Sequence, residues 1–285
     1  MRIAFASGKG GTGKTTFAVN TAYLLSLSGY KVQFLDLDVE EPDGHIFLKP
    51  RIDSLFPVEV FIPTFNMERC TLCGRCVEYC SFHALLMLQR EVLFFPELCH
   101  SCKVCLRVCE EGAITVGRRE VGVVRTGITD SSIIFTEGRL NVGEPMPGAV
   151  IAAAKSRYVD GHIKIMDAPP GTSCPFVRSV YDADFVVLVT EPTPFGLHDL
   201  SLCVSFLKSS KKTFGVVINR ERGEFQPLRA YMSENKIPLL TRMPEDLRVA
   251  RVQSEGRLLI DEYKEYRSYF EELFARLKRM VDGRT

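Results

Sequence analysis

Apolar residues recur along this chain with two different periods, and their alternation outlines a fold before any motif is consulted. Arg2–Ser7 is a short apolar run ending at glycines, as a buried parallel strand does. Lys14–Ser28 places Phe17, Ala18, Thr21, Ala22, Leu24 and Leu25 at helical spacing, and Gly29 supplies a stop. Lys31–Leu35 predicts a second strand, ending at Asp36-Leu37-Asp38. Strand-like runs return at Ile163–Met166, Phe185–Val189 and Phe214–Ile218, with helical patterns at Ala149–Tyr158, Phe176–Tyr181 and Leu197–Leu207. This alternation predicts an α/β, doubly wound, mainly parallel sheet covered on both faces. Near the C-terminus, Tyr263, Tyr266, Tyr269, Phe270, Leu273, Phe274, Leu277 and Val281 form an apolar stripe beside Arg276, Lys278 and Arg279. A membrane-surface helix has this look, and so does a helix packed on the sheet; packing is the expectation.

From about Val58 to Gly117 the periodicity breaks down and cysteines become dense. Cys70, Cys73, Cys76 and Cys80 follow C-x2-C-x2-C-x3-C, and Cys99, Cys102, Cys105 and Cys109 repeat the spacing 29 residues further on. The repeat extends past the cysteines, since Ala84-Leu85 returns as Ala113-Ile114, which indicates an internal duplication. Arg118–Pro147, rich in Gly and β-branched residues, predicts short strands leading back to the sheet. The expected organisation is one sheet domain in two pieces, 1–57 and 118–285, with 58–117 inserted between them.

Composition adds limits. The 285 residues are 46% hydrophobic and 25% charged, with net charge +1 and pI near 7.5, an ordinary globular balance with no electrostatic case for nucleic acid. No apolar run approaches the roughly 18 residues of a membrane span, and no signal peptide fits the N-terminus. Ten cysteines in a chain without a secretory signal indicate metal ligation in a reducing, cytoplasmic compartment, and argue against disulfides.

Gly8-Lys9-Gly10-Gly11-Thr12-Gly13-Lys14-Thr15-Thr16 contains G-x4-G-K-T between a strand and a helix. Backbone N–H groups in such a turn point at phosphates, Lys14 reaches the β- and γ-phosphates, and the Thr15 hydroxyl ligates Mg2+. Asp36 and Asp38, two apart on an extended segment, point to one side and suit a metal–water shell; a solvated acidic turn with Glu40, Glu41 and Asp43 would look alike. Asp167 ends the Ile163–Met166 strand in Ile165-Met166-Asp167-Ala168-Pro169-Pro170-Gly171.

The eight cysteines suit two [4Fe–4S] cubes. In two-cluster ferredoxins the fourth cysteine of each run ligates the other cluster. Cys70, Cys73, Cys76 and Cys109 are therefore assigned to the first, and Cys80, Cys99, Cys102 and Cys105 to the second. Zinc is the rival, but its sites usually pair C-x2-C elements across a longer gap. Ser81 and Glu110 stand where bacterial ferredoxin runs usually carry proline, while Ala84 and Ala113 supply the small residues that pack on clusters. Cys174 and Cys203 lie outside both runs and read as buried or inert thiols.

Taken in order, GKGGTGKTT, the Asp36/Asp38 pair, the Asp167–Gly171 segment and Gly138-Arg139-Leu140-Asn141-Val142-Gly143-Glu144 resemble the ferredoxin-containing branch of the MinD/ParA/Mrp P-loop ATPases. The resemblance implies a MinD-like P-loop NTPase fold with a bacterial-ferredoxin-like insert. It implies that Lys9, by itself compatible with a solvated loop lysine, crosses a dimer interface to the partner's nucleotide. It implies that Asp36 and Asp167 help hold magnesium, that Asp38 positions the attacking water, and that the Gly171 amide senses the γ-phosphate. Asn219 and Arg220 would recognise adenine, with Pro244 in a loop closing over the base. Catalysis would rest on Lys9, Lys14 and Asp38, with ATP/ADP, Mg2+ and two [4Fe–4S] clusters as cofactors. The Mrp-type scaffolds carry a C-x-x-C in the C-terminal third, which this chain lacks.

The implied function is an ATP-dependent dimer, homomeric or with a paralogue, that couples ATP hydrolysis to electron transfer with a redox partner. Assembly or carriage of an iron–sulfur or metal cofactor for an acceptor protein is the alternative. A MinD/ParA-like positioning ATPase with structural clusters is a third possibility.

Overall fold

The computed structural model describes residues 1–283. Strand β1 (Arg2–Ala6) turns through the glycine loop into α1 (Lys14–Leu27), and β2 (Val32–Asp36) is followed by the short α2 (Gly44–Leu48). The chain then leaves the body along β3 (Arg51–Phe65) and passes through α3 (Arg75–Glu78), β4 (Leu85–Met87), β5 (Val92–Phe94) and α4 (Val104–Val108). It returns along β6 (Ile114–Ile128) and β7 (Ile134–Leu140). Helix α5 (Pro147–Lys155), β8 (Ile163–Asp167), α6 (Cys174–Val180), β9 (Phe185–Thr190), α7 (Pro194–Ser209) and β10 (Phe214–Glu221) complete the expected alternation. Beyond it come α8 (Gln226–Glu234), β11 (Leu239–Pro244), α9 (Leu247–Ser254), α10 (Leu259–Glu262) and α11 (Arg267–Asp282).

The nine strands run in the order β11-β10-β9-β1-β8-β2-β7-β6-β3. Pairing is parallel from β11 to β7; β6 is antiparallel to β7, and β3 to β6. Period-two alternation divides each inner strand between two cores. In β1, Ile3 and Phe5 join a cluster with Phe17, Leu24 and Phe270, while Ala4 and Ala6 join one with Val150, Phe176 and Leu200. Helix α11 belongs to the first of these. Phe270, Leu273 and Leu277 are fully buried, and the Phe270 ring lies 5.4 Å from that of Phe17. The C-terminal stripe is thus core packing, and no helix among the described residues is long and apolar enough to cross a membrane.

The return segment differs from the short strands expected over Arg118–Pro147. Strand β6 is fifteen residues long and pairs with β3 from Ile128↔Arg51 to Ile114↔Phe65. Its glycines mark close backbone approach rather than strand ends: a Cβ at Gly122 would stand 2.3 Å from the Arg139 carbonyl oxygen, and one at Gly127 2.2 Å from that of Arg51. The expected insert limits at 58 and 117 fall within these paired strands, and the segment carried on the ribbon is 66–113.

That segment is built twice. Left-handed φ values at Leu72 (54°), Gly74 (78°) and His83 (50°) return at Ser101 (56°), Lys103 (62°) and Gly112 (59°), each 29 residues later. The bonds between halves cross reciprocally: Asn66 N donates to Ala113 O and Phe95 N to Ala84 O, both at 2.8 Å. The pairing Phe65↔Ile114 that ends the ribbon has its counterpart in Phe94↔Leu85 of the β4–β5 hairpin. Two copies of one pattern are therefore related by a pseudo-twofold, one strand pair prolonged into the sheet and the other cut short.

Candidate nucleotide site and two thiol-lined cavities

The glycine loop lies at the C-terminal end of β1, between β8 and β9, where the sheet opens a cavity of about 300 Å3. Gly10, Gly11, Gly13, Lys14, Thr15 and Thr16 form one wall, and Asp38, Asp43, Arg220 and Gln253 face them. Gly13 holds φ 90°, and a Cβ there would stand 2.3 Å from Asn219 Nδ2, which donates to Thr12 O at 2.8 Å. Asn219 thus braces the loop from behind.

Charge is concentrated at one point. Lys14 Nζ lies 2.7 Å from Asp167 Oδ1 and 3.7 Å from Asp38 Oδ2, and the Thr15 hydroxyl donates to Asp167 Oδ2 at 2.6 Å. Burial opposes the Lys14 charge, but Asp167, Asp38 and Asp36 outweigh it and raise its pKa. Burial pushes the Asp38 carboxyl up to about 6 against the pull of Lys14, and burial with Asp167 raises Asp36 and Asp43. Asp36 is fully buried and does not line the cavity. Its Oδ1 accepts from Asp38 N at 3.2 Å and its Oδ2 from Gly44 N at 2.8 Å, so it anchors the loop carrying Asp38. Asp43 Oδ1 is buried without a hydrogen-bond partner. An orphaned carboxylate oxygen, the Thr15 hydroxyl and Asp38 on one cavity suit a hydrated divalent cation.

Other expected residues lie apart from the cavity wall. The Gly171 amide (φ 92°) donates to Ser7 O at 2.9 Å, so facing a phosphate requires that bond to break. Lys9 Nζ lies 3.0 Å from Glu191 Oε2. Pro244 is the last residue of β11, exposed and paired with Glu221, and α9 covers the cavity instead: Gln253 lines it and hydrogen-bonds the Thr16 hydroxyl. Gln253 and the Lys9 partner Glu191 carried no signal in the sequence, and Asp43 read there only as part of an acidic turn. They converge from three distant segments through the sheet order alone.

The eight cysteines ring two cavities. Cys70, Cys73, Cys76 and Cys109 line one of about 150 Å3, together with Phe65, Met87 and Ala113. Cys80, Cys99, Cys102 and Cys105 line a narrower one of about 20 Å3, with Phe61, Phe82 and Ala84. Each set takes three thiols from one run and the fourth from the other, as the pseudo-twofold requires. Among the described residues no three His, Cys, Asp or Glu side chains close on one point as ligands of a single metal ion do. The ring of about 150 Å3 leaves its thiols the room a polynuclear cluster needs, whereas zinc draws its sulfurs to about 2.3 Å; the ring of about 20 Å3 has room for roughly one water and must open to admit such a group. Burial raises the Cys76 and Cys99 thiols and pushes Cys105 up to about 11, so any metal bound there would have to displace their protons. Ala113 N donates to Cys109 Sγ at 3.3 Å, and an Arg75–Glu110 ion pair ties the two runs where proline is missing.

The second cavity is the inner one. Ser101 Oγ donates to Phe61 O at 2.7 Å and contacts Met146 Sδ at 3.7 Å, at the N-terminus of α5. Arg119, whose charge opposes the rise that burial imposes on Cys99, binds the nearly buried Glu144. Helix α5 in turn holds α6, with Lys155 Nζ donating to Arg178 O at 2.7 Å and Arg178 Nη1 to Gly148 O at 3.3 Å.

Comparison with known proteins bears on the sheet domain. The CobQ/CobB/MinD/ParA nucleotide binding domain family matches residues 3–260. Two Methanocaldococcus jannaschii proteins of uncharacterized function are similar over nearly full length: MJ0579 at 30% identity (96% of each chain) and MJ0578 at 27% (99% of this chain, 98% of that one). Among solved structures, the septum site-determining protein MinD of Pyrococcus horikoshii, complexed with Mg-ADP, superposes with TM-score 0.59 at 20% identity. The match covers 98% of this chain and 96% of that one.

Proposed function

The chain belongs to the CobQ/CobB/MinD/ParA family of nucleotide-binding domains, and from that premise we propose that it is a Mg-ATP-dependent dimeric switch whose hydrolysis is coupled to electron transfer through two [4Fe–4S] clusters. The observation that carries this reading is the division of eight cysteines between two cavities in crossed sets, on a ribbon continuous with the nucleotide-binding sheet. Lys14 and the loop amides hold the phosphates, Thr15, Asp38, Asp43 and Asp167 hold the magnesium shell, and Asp38 orients the attacking water. Asp36 keeps the Asp38 loop in place. Lys9 acts on the nucleotide of a second copy. When loaded, the clusters supply one-electron chemistry; the chain's own contribution is to place them and make their surroundings depend on nucleotide.

Two routes support that dependence. From Gly171, α6 and α5 lead to Met146 and Ser101 at the inner cavity. From the Asp36 loop, His45 Nδ1 faces Glu137 Oε2 at 2.9 Å, and Glu137 is bound by Arg125 of β6. Coupling between two sites typically amounts to about 1–3 kcal/mol, and about 60 mV in a one-electron potential corresponds to ~1.4 kcal/mol. Anaerobically purified protein should contain about eight iron and eight sulfide per chain. A redox titration with ADP and with ATP retained by Asp38→Ala should then give different potentials. Stoichiometric zinc without sulfide would end the cluster reading, and identical potentials would leave the clusters structural.

Exposure of Cys73 and Cys102, one thiol in each set, favours a second reading. An exposed ligand is reachable by an acceptor, so the chain would carry a cluster to another protein. Transfer of iron and sulfide from the loaded protein to an apo-ferredoxin, faster with ATP, would select it.

A further inference from the structure

We propose that Glu191 is a positioning residue, a latch within one chain that holds Lys9 and Arg220 on a single carboxylate and sets how much ATP two copies need before they pair. The proposal rests on the reading above, in which Lys9 acts on the nucleotide of the other copy. Glu191 follows β9, and its oxygens are divided: Oε2 faces Lys9 Nζ at 3.0 Å, and Oε1 accepts from Arg220 Nη1 at 2.6 Å.

The backbone around this fork leaves little play. Thr193 N donates to the Glu191 carbonyl at 2.8 Å, and the Thr193 hydroxyl caps α7 by accepting from Gly196 N at 3.0 Å. A Cβ at Gly196 would stand 2.2 Å from that same Glu191 carbonyl oxygen. Gly8 is as tightly placed, since a Cβ there would come within 2.6 Å of the Asp199 carbonyl oxygen in α7. The Lys9 carbonyl accepts from Ser7 Oγ at 2.8 Å. Arg220 has φ 55°, a left-handed conformation that a residue other than glycine keeps only where its surroundings hold it. It lines the nucleotide cavity while reaching Glu191. Side-chain torsions of Lys9 and Arg220 are therefore the freedom left at this junction.

Charge then gives the latch its sign. The Glu191 side chain is 11% exposed and that of Lys9 36%, so the pair is only partly screened. For Lys9 to reach a second copy it must leave Glu191, and the lost contact is subtracted from whatever the new one yields. The same carboxylate pairs with Arg220 at the edge of the phosphate cavity and cancels part of the positive potential there. Removing it should tighten nucleotide binding to the single chain and let two chains pair at lower nucleotide concentration.

The experiment compares wild type, Glu191→Gln, Lys9→Ala and the double variant. ADP affinity is measured by calorimetry, and pairing by sedimentation velocity across a series of concentrations of a non-hydrolysable ATP analogue. Glu191→Gln should lower the half-maximal concentration for pairing by about three- to fivefold, the range of a partly exposed ion pair. The double variant should pair no better than Lys9→Ala, because the gain in pairing passes through Lys9, whereas the gain in ADP affinity, which passes through Arg220, should persist. Glu191→Asp keeps the charge but shortens the arm, should fall between the two, and serves if the Gln variant does not fold. If Lys9→Ala fails to pair while a folded Glu191→Gln needs as much nucleotide as wild type, or more, the latch is overturned and the role of Lys9 stands. If Lys9→Ala pairs like wild type, the reading beneath the latch is itself overturned.

Discussion

Two residues show how much a single side chain, or its lack, decides. Gly13 is confined twice, by φ 90° and by Asn219 Nδ2 lying 2.3 Å from where a Cβ would be. Gly13→Ala should destabilise the fold by about 1–3 kcal/mol and abolish ADP binding by displacing the loop, visible as a lowered melting temperature and a flat calorimetric titration. Retained ADP affinity would mean that the loop tolerates the shift. Cys203 illustrates a thiol the chemistry leaves unused. It is fully buried on the inner face of α7, and burial pushes it from 9.0 up to about 12. Since only the thiolate alkylates, iodoacetamide at pH 8 should modify exposed Cys174 in the loaded protein, and Cys203 only after unfolding. The sign of its linkage follows. The raised pKa favours the folded state fully below about pH 9, and that contribution is lost as pH rises towards 12. Peptide mass spectrometry reads the labelling, and rapid modification of the eight ring cysteines in anaerobic protein would contradict ligation.

At the scale of elements, the informative junction is where β2, β6, β7 and α2 meet. Glu137 of β7 is the register partner of Asp36 in β2, is fully buried, and carries Arg125, Arg139 at 3.4 Å and His45 at 2.9 Å. It thus stands between the Asp36–His45 loop and the ribbon that bears the cysteines, bound to Arg125 and within 2.9 Å of His45. Glu137→Ala would leave cations without their buried counter-ion, a loss of about 3–5 kcal/mol, whereas Glu137→Gln keeps the shape and should lose less. Urea unfolding monitored by circular dichroism measures both. Equal, small losses in the two variants would show that the cluster is solvated in solution and does not bind the loop.

For the whole molecule, the ribbon suggests a modular build. Val58, Val60, Val121 and Val124 of β3 and β6 belong to the sheet's core, whereas Ala84, Leu85, Val92, Ala113 and Ile114 join neither of the two large clusters. Replacing 67–112 by a two-residue Asn-Gly turn should therefore leave a folded chain that binds ADP with affinity within about threefold of wild type, on the rule that distant sites act independently. It should contain no iron. An insoluble product, or one without ADP binding, would mean that the sheet depends on the carried segment for its own stability.

The order of strands and helices, the phosphate loop and the duplicated cysteine spacing could be read from the sequence, because each is local: a period, a glycine pattern, a count between residues. The assignment of Cys80 and Cys109 to opposite sets comes from the two-cluster ferredoxin pattern, and the duplication beside it repeats even in the left-handed residues at 72, 74, 83 and their partners. What the sequence alone did not determine lies where distant segments meet. The extent of β6 was hidden because glycines that permit close backbone approach look like strand ends until the opposing strand is present. Lys9 resting on Glu191, Gln253 reaching Thr16 from α9, and Asp36 holding Gly44 are separated along the chain by anything from a few residues to most of its length. The sheet order, which places β9 and β8 on either side of β1, is what brings Lys9 to Glu191 and Lys14 to Asp167.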